Sequence, residues 1–142
     1  MQYHDDLSSI SLAQLRATQN WQQQYKLIIQ WGKLLSPKPE LRIADNLIRG
    51  CEVPVWLGCS LAQERYYFAL DADSSVIKGL ASLLLVQVNG KTRAELIGLD
   101  LQGELRELGL EKHLTPSRNN GFNAIIARIY DHLNNSNLHS GY

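Results

Sequence analysis

The sequence predicts a small α+β domain in which an antiparallel hairpin, with room for a third strand, packs against several helices. Three observations carry that expectation. Apolar residues alternate with others at Val53, Val55, Leu57, Cys59 and Leu61, then again at Tyr66, Phe68 and Leu70, the period of half-buried strands. Stripes of helical spacing lie on both sides of this pair. Nowhere do strands and helices alternate as a parallel sheet requires.

Ser11 with Gln14 three residues on reads as a capping box for a short helix carrying Leu12 and Leu15, and Asn20 with Gln23 repeats the signal. The second helix is expected over residues 21–35, with Trp21, Tyr25, Ile28 and Ile29 on one stripe and Pro37 and Pro39 ending it. Residues 41–51 are irregular, and a third strand is expected near 41–47. Pro54 sits near the start of the first strand, where a missing ladder donor is tolerable. A turn falls at 62–65. Asp73, Ser74 and Ser75 are candidate caps for a third helix, whose stripe is Ile77, Leu80, Ala81, Leu84 and Val88 and whose end is Asn89-Gly90. Thr92 and Glu95 make a further capping box, followed by short helical turns over 93–108 that stop near Gly109. The last helix has Thr115 as cap, Pro116 at its first position, and Phe122, Ile125, Ile126, Ile129 and Leu133 on one face. Residues 134–142 read as a frayed tail.

At 142 residues the chain is the size of one domain able to bury a core without disulfides. Lys plus Arg and Asp plus Glu balance at 14 each, which removes any global attraction to nucleic acid or an acidic membrane. Partners other than these must be recognised locally. Residues 1–10 are polar and include Asp5 and Asp6, unlike a signal peptide, and the apolar run 80–88 is too short to span a bilayer. A cytoplasmic protein is therefore expected. Cys51 and Cys59 are the only cysteines and form no Cys-x-x-Cys pair, so they read as free thiols and not as a disulfide framework or a zinc site. His4, His113, His132 and His139 show no ligand spacing, and phosphate loops and nucleophile elbows are absent. No metal or cofactor is expected.

Cys51 follows Gly50, whose backbone freedom suits a loop that another molecule approaches closely. Arg49 favours its thiolate and Glu52 opposes it. The alternative is a small buried hydrophobe, the commonest fate of a free cysteine, and that reading fits Cys59 better because it shares strand parity with Val55 and Leu57.

The run Ile48-Arg49-Gly50-Cys51-Glu52-Val53-Pro54-Val55-Trp56 resembles the Ile-x-Gly-Cys-x-x-x-Val-Trp segment of the SufE family. Asp71-Ala72-Asp73 through Ile77-Lys78-Gly79-Leu80 resembles that family's acidic turn and Ile-Val-Lys-Gly-Leu helix, and residues 113–121 resemble its Leu-Thr-Pro-Ser-Arg-x-x-Gly signature. The likeness spans about 21–133. Residues 55–58 and 90–92 look nearer to the CsdE branch. Ala72 departs from a common serine, and Val53-Pro54 replaces polar residues after the cysteine.

The resemblance implies a SufE/IscU-like fold and a sulfur acceptor. A partner cysteine desulfurase, SufS- or CsdA-like and dependent on pyridoxal phosphate, would form a persulfide whose terminal sulfur Cys51 attacks. The sulfur would then pass to a downstream acceptor or iron-sulfur scaffold. On this reading the chain is an accessory carrier and activator, not an enzyme. Arg118 matches the signature arginine and would hold an anionic persulfide or a partner carboxylate; a structural ion pair to Asp73 is the competing role. Asp71 and Asp73 either contact the desulfurase or, by default, cap a helix. Trp56 either covers the cysteine loop or simply packs. The apolar residues Val53, Pro54 and Val55 are expected to shelter the thiol until a partner draws the loop outward. Two other readings are a scaffold of the IscU type, which needs more ligands than this chain supplies, and a thiol enzyme pairing Cys51 with His113.

Overall fold

The computed structural model describes residues 5–134, so His4, His139 and residues 135–142 of the expected tail lie outside the described residues. The order is α1 (Leu12–Arg16), α2 (Trp21–Gly32), two 3-10 turns (Pro39–Leu41 and Ala44–Asn46), β1 (Val55–Ala62), β2 (Arg65–Ala72), α3 (Ser75–Val88), β3 (Lys91–Thr92), α4 (Arg93–Ile97), α5 (Leu101–Glu107), a 3-10 turn at Leu110–Lys112 and α6 (Pro116–Leu133). This is an α+β fold built on a three-stranded antiparallel sheet in the order β1-β2-β3.

The third strand is not at 41–47. Those residues instead form two 3-10 turns, and the sheet is extended by β3, whose Lys91 and Thr92 pair with Tyr66 and Arg65. The segment is too short for period-two alternation to register. Thr92 also caps α4, and its reciprocal box with Glu95 is complete. The boxes expected at Ser11 and Asn20 are half formed: each side chain accepts from the amide three residues on, but Gln23 reaches back to the Gln19 amide.

β1 and β2 close through a two-residue turn in which Gln63 (φ 53°) and Glu64 (φ 67°) both adopt left-handed backbone. Such a turn matches the twist of the strands it joins, at some steric cost to residues with a Cβ. The central part of β1 is buried on both faces, although its alternation suggested one wet face. One face carries Leu57 and Cys59 and, across the ladder, Leu70 and Phe68, with the ring of α6's His132 centred 6.0 Å from Phe68. The other carries Trp56 and Asp71 and meets the segment around Pro39–Leu41.

α2 stops at Gly32, three residues before its expected end, and the chain continues in i-to-i+3 turns to Leu35. Close packing sets this region. A Cβ on Gly79 would lie 1.9 Å from the Ile28 carbonyl oxygen, and one on Gly32 would lie 2.2 Å from that of Ser75, so the α2 and α3 backbones touch. Contact with α2, α6 and β2 buries α3 on nearly every side, beyond the single stripe that spacing indicated.

Candidate functional site

Cys51 stands at the tip of a loop whose neck is closed by main-chain atoms. The Ile48 amide donates to the Val55 carbonyl at 2.8 Å, and Leu47 pairs with Trp56 across the same neck. Gly50 takes φ 91°, left-handed backbone that a side chain resists, and turns the chain so that the next residue faces inward. α6 buttresses the loop at two levels. The Arg128 guanidinium donates to the carbonyls of Asp45 and Leu47, and farther up the helix the Gly121 carbonyl accepts from the Cys51 thiol at 3.8 Å.

The thiol is half-buried in an open cleft of about 280 Å³, lined by Val53, Ile77, Ser117, Arg118 and Gly121 among others. Burial pushes its pKa above the ordinary thiol value. The Gly121 carbonyl acts in the same direction because it accepts only from the protonated form. Sheltering is supplied by Ile77 and α6 more than by the apolar loop residues, since Val53 and Pro54 are exposed. Arg49 and Glu52 are exposed as well; Glu52 lines the cleft and Arg49 does not.

Arg118 is brought to the cleft. It is the third residue of α6, its amide bonded to the Thr115 hydroxyl. Pro116 has no amide hydrogen and the Arg118 amide is taken by the Thr115 hydroxyl, so this helix start offers an anion fewer donors than usual. Any pull on an anion therefore rests mainly on the Arg118 side chain. Among the described residues no ion pair joins it to Asp73, whose partner is Arg42.

The acidic turn is occupied elsewhere. Asp71 receives the Arg42 Nε–H at 2.9 Å, with Lys78 Nζ 3.6 Å away, and Asp73 receives another Arg42 N–H at 2.7 Å. Burial works against the Asp71 carboxylate, but the Arg42 hydrogen bond and the Lys38 amide outweigh it and hold its pKa below the ordinary range. Neither aspartate caps α3; Ser74 does, because its short hydroxyl reaches the Ile77 amide. Trp56 does not cover the cysteine. Arg42 lies 4.5 Å above its ring, so tryptophan, arginine and the two aspartates form one stack beneath the loop neck. Sequence reasoning missed Arg42 and Arg128, since nothing local marks an arginine whose partners lie 29 or 81 residues away.

Cys59 faces the core opposite Phe68, and burial pushes its pKa up to about 12. His113 is stacked on Trp21, with centroids 4.8 Å apart, and does not line the cleft. Among the described residues, no three His, Cys, Asp or Glu side chains are grouped to hold a metal ion, and no helix is long and apolar enough to cross a membrane.

The family model of the SufE domain, described as an Fe-S metabolism associated domain, matches residues 10–133. The chain belongs to the SufE family. That places it in iron-sulfur metabolism, as an accessory domain of the pathway. The SufE match takes in the loop neck, the acidic turn and the start of α6, the three places whose motifs carry the resemblance. The fold of this SufE chain is also that of a hypothetical protein from Thermus thermophilus, solved in solution. That likeness has a TM-score of 0.71 at 17% identity and covers 87% of this chain and 90% of the other.

Proposed function

We propose that this SufE chain accepts a sulfane sulfur on Cys51 from a pyridoxal-phosphate-dependent cysteine desulfurase and passes it on for iron-sulfur assembly or related sulfur trafficking. The observation that carries the reading is the placement of Cys51: a half-buried thiol at the tip of a neck-closed loop, opening on a cleft that also holds Arg118. In the transfer step the Cys51 thiolate attacks the terminal sulfur of the desulfurase's cysteine persulfide. A new S–S bond forms on Cys51, the old one breaks, and the desulfurase cysteine leaves as a thiolate, with no net oxidation or reduction. The carrier needs no cofactor of its own, and clearing sulfur from the desulfurase frees it for another turnover.

Resting and transferring states need different surroundings. A raised thiol pKa and a carbonyl acceptor keep the free side chain protonated and quiet. Movement of the tip away from Gly121, hinged at the neck, exposes the thiolate to a partner, while Arg118 stands ready for the anionic persulfide on return.

The test is intact-mass measurement after incubation with a cysteine desulfurase and cysteine. Gain of one sulfur atom, mapped to the Cys51 peptide and removed by a thiol reductant, is expected. Sulfur that never reaches Cys51, or that arrives equally on Cys59, would sink the proposal.

A further inference from the structure

Among the described residues Arg118 forms no ion pair, although it lines the same cleft as the reactive thiol and as the carboxylate-bearing Glu52. What it meets is an aromatic face. Its guanidinium carbon lies 5.8 Å from the centroid of the Tyr25 ring. Tyr25 packs edge-on against Trp21, centroids 5.4 Å apart at 61°, and Trp21 stacks on His113 at 11°. These three rings tie the first turns of α2 to the segment that leads into α6.

The chemistry of that choice matters. An arginine fixed by a carboxylate has its charge cancelled, whereas one fixed over an aromatic ring keeps its full charge and its in-plane N–H donors. With Pro116 lacking an amide hydrogen and the Arg118 amide taken by the Thr115 cap, the positive charge lining the cleft is that of this one guanidinium.

We propose that Tyr25 is a positioning residue whose ring face holds Arg118 over the Cys51 cleft with its charge uncancelled, so that the cleft attracts an anionic persulfide or other incoming anion. The inference rests on the sulfur-acceptor reading for its purpose, but its test does not use a desulfurase. Cys51 of the full chain is alkylated in parallel with iodoacetate, which is anionic, and iodoacetamide, which is neutral, and the Cys51 peptide is quantified by mass. The ratio of the two rates cancels exposure and thiolate fraction, which act on both reagents alike, and reports the local charge.

Tyr25→Leu should lower that ratio about two- to fivefold, the size of an exposed cation-π contact. Tyr25→Phe, which keeps the ring face, should leave it unchanged. Arg118→Gln should lower it at least as far, and Tyr25→Leu should then add nothing. An unchanged ratio in Tyr25→Leu, an equal fall in Tyr25→Phe, or a further fall on the Arg118→Gln background each overturns the proposal. Tyr25→Met, which fills similar space without a ring, replaces Tyr25→Leu should that variant fail to fold. A normal ratio pattern alongside failed sulfur loading would overturn the acceptor reading and leave Tyr25's role standing.

Discussion

Cys51 and Cys59 are eight positions apart and chemically identical, yet one sits at a loop tip over an open cleft and the other in a hydrogen-bonded strand against Phe68. The difference lies in the backbone around each. Main-chain bonds hold the Cys51 loop at its neck and leave the tip free of ladder pairing, so the thiol can change surroundings at little cost. Cys59 can leave its place only if β1 parts from β2, so its reactivity is that of the unfolded chain. Reactivity here is a property of attachment as much as of pKa.

The largest expected effect breaks the comparison in one step. Cys51→Ser should abolish sulfur loading and desulfurase stimulation with no change in thermal midpoint. Cys59→Ala should keep loading and lose about 1 kcal/mol of stability, read by denaturant titration. Loss of loading in a well-folded Cys59→Ala would require a two-cysteine relay.

A pair of glycines sharpens the contrast. Gly79 has an ordinary backbone but no room, and Gly79→Ala should lose about 3 kcal/mol by forcing α2 off α3. Gly50 has room but left-handed φ, so Gly50→Ala should shift Cys51 alkylation while lowering global stability by about 1–2 kcal/mol. Similar stability losses in the two variants would mean that the loop is part of the core.

The smallest effect is a pH dependence on the Cys59 side. His132 lies beside Phe68 with its Nε2 buried and unbonded among the described residues; burial, aided by Arg128, lowers its pKa. The unfolded chain then binds a proton more readily than the folded one. This contribution is present above the ordinary histidine pKa of about 6.5 and is lost as pH falls through the lower folded value. A His132→Leu variant should show a flatter dependence of midpoint on pH across that window, with Cys51 labelling profiles unchanged.

Much of this is legible in the chain. Hairpin parity places Cys59 inward, caps at Ser74, Thr92 and Thr115 mark helix starts, and Gly50 announces the bend at Cys51. The unread parts share a physical cause. β3 is too short for periodicity, and α2 ends where packing against α3 sets its limit. The aspartates of the acidic turn read as caps from sequence because their partner, Arg42, comes from a segment with no regular pattern.

Because atoms common to every residue fasten the neck, the positions between Ile48 and Val55 other than Gly50 and Cys51 form an interchangeable cassette. Evolution or an engineer can rewrite Glu52, Val53 and Pro54 without resetting where the Cys51 thiol is held. Proline at position 48, which removes the fastening hydrogen, and proline at position 50, whose φ cannot reach 91°, are barred by the main chain itself.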